Sequence, residues 1–406
     1  MEEISMRLVF VIDDYMPDST RVGAKMFHEL ACYYLSIGHQ VTVITPSANI
    51  REKIEFLEVD GVKVWRYKSG LIKSNSKFKR AINESLLSFR AWYSVSEYIG
   101  RDSFDAVVYY SPSIFLGGLV SKIKKRCECK AYLVLRDQFP QWAIDVGILK
   151  KGSVIERYFR VFEKQTYNCS DTIGLMSKGN QKVFNDTTKS KYQTMVCRNW
   201  SDLTPYASEG ECKTHRDLLK LVGKTIYFYG GNIGYNQDME NLMRLVRKMK
   251  PHKDAHFLFV GQGDEVDLIL DLANKWNLDN FTYLPSVDQM EFKRLLTEID
   301  VGLFSLSSLH TSHNFPGKLL GYMVESIPIL GSINPNNDLT EIINENKSGL
   351  ITINGEDDLL YKNALALLHD REFRKKLGDN ANRLLKDEFS VQTVGDQILA
   401  SINFSG

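Results

Sequence analysis

The first 45 residues follow an order that few folds accommodate: an apolar run, a polar loop, an amphipathic stretch and a second apolar run. Residues 8–12 are uninterrupted apolar and residues 13–20 form a polar loop. Val22, Met26, Phe27, Leu30, Tyr33, Tyr34 and Ile37 then recur at helical spacing until Gly38 supplies a stop. Residues 41–45, Val-Thr-Val-Ile-Thr, read as another buried strand. Strands with no polar face are covered on both sides, which calls for a parallel sheet sandwiched by helices. The strand–helix–strand unit therefore opens an α/β sheet, and residues 106–109 and 131–135 read as its later strands.

The pattern restarts after a polar, helix-poor passage over residues 202–214. Residues 225–229 predict a strand, Gly230-Gly231-Asn232-Ile233-Gly234 a glycine-rich loop and residues 238–248 a helix, after which residues 256–260 and Gly261-Gln262-Gly263 repeat strand and loop. Two doubly wound domains follow, over residues 1–200 and 201–385, with a final helical stretch over 386–406. Open sheets of this class bind ligands at the carboxyl ends of their strands, so the glycine loops and the loop of residues 13–20 are the candidate site segments. Bare backbone N–H groups at Gly230 and Gly231 suit a phosphate, although a tight strand-to-helix turn favours glycine on its own account.

Charge adds a division that the total conceals. The 406 residues hold 51 Lys+Arg and 50 Asp+Glu, with 43% hydrophobic residues, which excludes a disordered chain and a surface that is basic throughout. Residues 1–200 carry 30 Lys+Arg and 21 Asp+Glu, a balance of +9, whereas residues 201–406 carry 21 and 29, a balance of −8. Lys63, Arg66, Lys68, Lys73, Lys77, Lys79 and Arg80 stand together without an acid, interleaved with Trp65, Tyr67, Leu71, Ile72 and Phe78, and Lys122, Lys124, Lys125 and Arg126 form a second cluster. Such mixtures suit an anionic lipid surface as well as a solvated face. No RNA-binding aromatic motif accompanies them, so nucleic acid is not an expected partner. The cysteines Cys32, Cys127, Cys129, Cys169, Cys197 and Cys212 lack metal or redox spacing and read as reduced thiols. An acidic start and the lack of a long apolar run lead to the expectation of a cytoplasmic protein.

The succession of motifs along nearly the whole chain resembles the family-4 glycosyltransferases of GT-B fold, especially those of bacterial surface-polysaccharide (O-antigen) synthesis. Gly38-His39-Gln40-Val41-Thr42-Val43-Ile44-Thr45 looks like the family's GHxVTVIT. Arg136-Asp137-Gln138-Phe139-Pro140-Gln141-Trp142 looks like its DxWPE-type segment, and Asn199-Trp200-Ser201-Asp202 like its NWxD sequence. Gly230 to Gly234 matches its donor loop, Phe315-Pro316-Gly317-Lys318-Leu319-Leu320 resembles PSKLxEY, and the tail to Phe389-Ser390 follows its closing pattern. Within the subgroup the chain is most similar to N-acetyl-L-fucosamine transferases of the WbuB type.

That resemblance implies two Rossmann-like domains facing across a cleft, the first binding an acceptor and the second a nucleotide-sugar donor, with a C-terminal helix crossing back to the first. It implies transfer of a sugar, such as N-acetyl-L-fucosamine, from a UDP-sugar to an undecaprenyl-diphosphate-linked sugar at the inner face of the cytoplasmic membrane. The protein would be peripheral there. Gly230, Gly231, Asn232, Gln262, Ser286, Val287, His313, Phe315, Gly317, Lys318 and Leu319 would hold the donor, with Lys318 and the backbone amides stabilising charge on the departing diphosphate. No Asp-x-Asp metal signature stands out, so neither a metal nor a cofactor beyond the co-substrate is expected. Asp13, Asp14 and Asp137 end predicted strands, where a carboxylate orients or deprotonates an acceptor hydroxyl or merely caps a turn. Arg21 and Arg136 are candidate ligands for an acceptor or donor phosphate.

The chain also departs from the pattern. The family's two acidic donor positions fall here on His313 and Gly321, with Glu325 four residues on, and Asn232 and Gln237 stand where basic residues are common. A non-catalytic partner protein and a UDP-sugar epimerase or hydrolase on the same scaffold are the alternatives these departures leave open, as is inversion in place of retention.

Overall fold

The computed structural model describes residues 5–19, 21–70, 82–145, 147–206, 214–308, 315–335 and 337–403. Two compact units emerge, Met1–Arg198 with Val391–Gly406, and Asn199–Ser390. Both are parallel sheets covered by helices.

Unit 1 holds an eight-stranded sheet of order β3-β4-β2-β1-β5-β6-β7-β8. Its strands are β1 (Arg7–Val11), β2 (Gln40–Ser47), β3 (Ile54–Val59), β4 (Val62–Lys68), β5 (Ala106–Ser111), β6 (Lys130–Leu135), β7 (Thr172–Leu175) and β8 (Thr194–Val196). All neighbours pair in parallel except β3 with β4, an antiparallel hairpin at the edge. Its principal helices are α1 (Val22–Ser36), α2 (Leu87–Val95), α3 (Gly117–Cys127), α4 (Val154–Cys169) and α5 (Lys178–Thr188). Leu8, Val9, Phe10 and Val11 are fully buried, as a strand without a polar face requires. On α1 the core face is Ala24, Met26, Phe27, Leu30, Ala31 and Tyr34. Val22, expected on that face, is instead 66% exposed, because it opens the helix ahead of the first turn that meets the sheet.

A C-terminal helix, Val391–Asn403, completes unit 1 by packing on α1. Tyr34 Oη donates to the Gly395 carbonyl at 2.9 Å and Tyr33 Oη to Asp396 Oδ1 at 2.6 Å. A Cβ on Gly395 would lie 2.8 Å from Tyr33 Cδ1 and 3.2 Å from Leu30 Cδ1, so the absence of a side chain sets this approach.

Unit 2 holds a six-stranded parallel sheet of order β11-β10-β9-β12-β13-β14. The strands are β9 (Thr225–Asn232), β10 (Ala255–Gln262), β11 (Phe281–Leu284), β12 (Val301–Ser305), β13 (Ile329–Ile333) and β14 (Gly349–Ile353). Its principal helices are α6 (Met239–Met249), α7 (Val266–Lys275), α8 (Gln289–Leu296), α9 (Gly317–Val324), α10 (Asp357–His369) and α11 (Arg371–Leu384). Separate apolar clusters cover the two faces. The order reverses between β1 and β5 in unit 1 and between β9 and β12 in unit 2, so the loops after β1 and β9 lie at the topological switch points where such sheets take ligands. No helix of the described residues is long and apolar enough to cross a membrane.

Gly395→Val should lower the stability of unit 1 by about 1–3 kcal/mol, the usual cost of overpacking. Urea denaturation followed by tryptophan fluorescence reads the shift, and an unmoved midpoint would show that the C-terminal helix does not depend on that contact.

Candidate functional site

At the carboxyl end of β9 and β10 two glycine loops run closer together than any side chain allows. Gly261 pairs with Gly231 and Gln262 with Asn232, and a Cβ on Gly261 would lie 1.8 Å from the Gly231 carbonyl oxygen. Gly263, at φ +158°, would meet the Ile233 carbonyl oxygen at 2.1 Å. Ile233 N–H donates to the Gln262 carbonyl at 2.9 Å and Glu265 N–H to the Ile233 carbonyl at 3.0 Å, which locks the loops to each other. Asp238 then caps α6 by accepting from Asn241 N–H.

The two glycines of the first loop have different roles. Gly230 is buried: a Cβ there would strike Phe292 at 2.6 Å, and its backbone bonds the Tyr322 hydroxyl. Its amide is therefore turned to the core, which corrects the expectation that both glycines face a phosphate. Gly231 is exposed at φ +111°, and the nearest atoms to its missing Cβ are Cε and Nζ of Lys318, both at 3.8 Å.

Lys318 opens α9, whose apolar side chains Leu319, Leu320, Tyr322 and Met323 pack inward and so fix where the helix starts. Its ammonium lies 3.7 Å from the centroid of the Tyr229 ring. A cation–π contact of this kind contributes about 0.5–2 kcal/mol and leaves the charge itself uncompensated. No acid pairs with it among the described residues, and desolvation brings its pKa down to about 7. Tyr229 is a participant that motif reading misses, since a tyrosine inside an apolar strand reads as core. Its hydroxyl donates to the Asn232 carbonyl at 2.5 Å and so also holds the loop.

The other residues expected on the donor side divide by exposure. Asn232 and Gln262 are exposed at the same strand ends, Asn232 donating to Gln237 Oε1 at 2.8 Å. Ser286 is exposed after β11 and Val287 is partly buried against the core, two strands from β9. Phe315 and Leu319 are core: Phe315 packs on Phe389 with ring centroids 4.4 Å apart and its carbonyl accepts from Asn199 Nδ2 at 3.1 Å, while the Leu319 N–H donates to the Pro316 carbonyl at 3.1 Å, so the expectation that both hold a donor is corrected. Gly317 is exposed with open space around it. His313 lies outside the described residues. Glu325 accepts from Tyr206 N–H at 2.9 Å, an engagement that ties it to the chain rather than to the position of Gly321.

In unit 1 the acids follow β1 and β6. Asp14 accepts from Ser19 Oγ at 2.7 Å and lies 3.5 Å from Arg21 Nε, so Arg21, 64% exposed, belongs to the same loop. Asp13 is partly buried, near enough to Tyr67 and Tyr110 that its charge adds to the burial that raises both hydroxyls. Desolvation pushes the Asp137 carboxyl above the ordinary carboxylate range and Arg136 pulls it back in part, although the residue keeps open surface. Arg136 itself is buried and spends its guanidinium on the carbonyls of Cys197 and Arg198, at 2.7 and 2.9 Å. It joins β6 to the chain beyond β8, and the expectation that it binds a phosphate is corrected accordingly.

The basic stretches are reapportioned too. Lys63, Trp65, Arg66, Tyr67 and Lys68 lie on β4, whereas Leu71, Ile72, Lys73, Lys77, Phe78, Lys79 and Arg80 lie outside the described residues. Tyr67 is core, and Arg66 is 13% exposed and pairs with Asp18 and Glu55, so neither is available to a lipid. On α3, Lys124 pairs with Asp171 at 2.7 Å and Arg126 stacks on Trp92, while Lys122 and Lys125 are exposed.

Gly231 links the loop to Lys318, so Gly231→Ala should weaken pyrophosphate binding by about tenfold or more, through a methyl beside the ammonium and strain of about 1–3 kcal/mol. Gly355→Ala carries comparable strain at φ +104° in open space. It should leave pyrophosphate affinity unchanged in titration calorimetry, and equal losses in both variants would show strain alone to be responsible.

Comparison with known proteins agrees with this geometry. Residues 212–384 match the family described as glycosyl transferases group 1. A probable glycosyltransferase, WbjE of Pseudomonas aeruginosa, is 24% identical over 54% of this chain and 55% of its own, so the match spans little more than half that relative's length. The putative colanic acid biosynthesis glycosyl transferase WcaI of Escherichia coli K12 is 21% identical over 69% of this chain and 72% of its own. The E. coli trehalose-6-phosphate structure bound with UDP-2-fluoroglucose superposes with a TM-score of 0.72 at 11% identity, covering 98% of this chain and 99% of that one. The fold is GT-B, two Rossmann-like domains. The match to the glycosyl transferases group 1 family thus lies within unit 2.

Proposed function

We propose that the protein transfers a hexose-type sugar from a UDP-sugar, bound in unit 2, to a lipid-diphosphate-linked sugar received by unit 1, in the synthesis of a cell-surface polysaccharide such as O-antigen. The observation that carries this reading is the partly buried Lys318 ammonium beside the open Gly231 loop at the switch point of unit 2. In sugar transfer negative charge accumulates on the departing diphosphate, and a desolvated cation with no acid beside it among the described residues is suited to receive it. UDP as carrier is supported by the UDP-sugar held by the E. coli structural neighbour, and the surface polysaccharide by the colanic acid biosynthesis relative from E. coli. An N-acetyl-L-fucosamine donor, a WbuB-type specificity and a peripheral place at the inner membrane complete the proposal.

Such a donor, if its linkage inverts, calls for a general base. Among the candidate acids, the Asp137 carboxyl is held above its ordinary range by desolvation, which moves it towards the basicity that proton abstraction needs. Asp13 and Asp14 follow the strand at the switch point of unit 1 and remain the alternatives for orienting the acceptor hydroxyl.

Incubating UDP-, GDP- and dTDP-sugars with a synthetic lipid-diphosphate acceptor, with NMR of the product, tests the reading: a UDP-sugar should be consumed only when acceptor is present. Turnover without acceptor would point to an epimerase or hydrolase, and no UDP binding at millimolar concentration to a non-catalytic partner. Lys318→Ala should weaken UDP binding by about 10- to 100-fold, the usual worth of a charge-assisted contact, and unchanged affinity removes Lys318 from the site. Asp137→Asn should lower kcat by about 10²–10⁴-fold with UDP affinity intact if Asp137 is the base. A kcat within a few-fold of wild type would exclude that role.

A further inference from the structure

Helix α2 and the turn before it present an apolar strip to solvent. Ile82, Leu86, Phe89 and Tyr93 follow one another at helical spacing and are 45, 38, 64 and 64% exposed. Tyr158 of α4, whose hydroxyl donates to Ser85 Oγ at 2.6 Å, extends this surface towards the exposed Val154 and Ile155. Contiguous apolar surface of this kind marks an interaction site more often than chance.

Phe89 and Tyr93 also border a pocket of about 480 Å³ lined by Arg51, Lys53, Lys68 and Arg90, with no acid in its lining. Lys53 and Lys68 stand opposite each other at the β3–β4 edge, where Lys68 N–H donates to the Lys53 carbonyl at 3.0 Å, an arrangement in which like charges repel. Lys53 is relieved by Glu97 at 3.1 Å and by the Tyr93 ring at 4.4 Å. Lys68 donates to the Arg51 carbonyl at 2.9 Å and Arg90 to Asn83 Oδ1 at 3.1 Å, both neutral oxygens. Among the described residues no acid pairs with Arg51, Lys68 or Arg90. A free anion accounts for the cations but not for the exposed rings, and an apolar protein partner accounts for the rings but not for the cations. An amphiphile with an anionic head uses both.

We propose that this pocket seats the phosphate headgroup of an anionic membrane lipid, with Phe89 and Tyr93 entering the apolar layer beside it. That a lipid-linked acceptor is delivered from the same membrane rests on the proposed function, whereas the pocket itself does not.

Vesicle flotation of the full chain tests the assignment, with phosphatidylglycerol-rich and pure phosphatidylcholine vesicles. The protein should float with the first and not the second. The triple variant Arg51→Gln, Lys68→Gln, Arg90→Gln should lose roughly a hundredfold in partitioning, since each basic group at the headgroups contributes about fivefold. Phe89→Ser with Tyr93→Ser, which keeps every charge and changes only exposed side chains, should also lose vesicle binding. Wild-type flotation by either variant overturns the proposal, as does equal binding to phosphatidylcholine. If the double variant keeps both wild-type flotation and undiminished affinity for inorganic pyrophosphate, the pocket is a free-anion site instead. Thermal unfolding at the wild-type temperature establishes that the variants are folded. UDP titration of the same samples separates the two readings: absent flotation with normal UDP binding overturns the pocket assignment alone.

Discussion

An ammonium group with no acid beside it among the described residues organises unit 2. Lys318 lies over the Tyr229 ring, and desolvation alone brings its pKa to about 7. A partly buried cation that no described acid pairs with is retained against the cost of removing it from water, and the surrounding elements are arranged so that it stays. The apolar face of α9 fixes the start of the helix, the Tyr229 hydroxyl ties the following loop, and Gly231 leaves space beside the ammonium. That loop is in turn held by the approach of Gly261 to the Gly231 carbonyl, which no side chain could permit. An anion entering there meets the charge already desolvated, which is the condition under which an electrostatic contact is strongest.

Charge is handled differently in unit 1. Its first 200 residues carry a balance of +9, yet many of the cations are spent inside the fold. Arg66 pairs with Asp18 and Glu55, Lys124 with Asp171, Arg160 with Glu163, and Arg136 with backbone carbonyls. The pocket of Arg51, Lys68 and Arg90 stands apart from these, since its cations meet only neutral oxygens or no described partner. Net charge of the domain is thus a poor guide to where an anion docks, and local pairing is a better one.

The frame of both units is legible in the sequence because strands buried on both faces are written as uninterrupted apolar runs and each is followed by a loop and a helical period. The β3–β4 hairpin is harder to read. Its outer strand is mostly exposed or half-buried, and its inner strand alternates basic and apolar residues, a pattern that in one dimension equally describes a lipid-binding stretch. Within the first glycine loop, the motif identifies the glycines but not their division of labour, which depends on Phe292 and Tyr322 from distant segments. Arg136 is misread for the same reason, as its carbonyl partners lie some sixty residues away. Gly231 and Lys318 are far apart in sequence, and the role of Tyr229 becomes visible only once the fold brings its ring beneath the ammonium.

The central claim, that Lys318 awaits a diphosphate, is tested most directly by counting protons. Above pH 7 the empty site holds Lys318 largely neutral, and an adjoining diphosphate raises its pKa, so binding must take up a proton. Titration calorimetry of UDP at pH 8, in buffers of differing ionisation enthalpy, should give an uptake approaching one proton per site, with none for Lys318→Met. Tight UDP binding by the wild-type protein with no proton uptake would contradict the account.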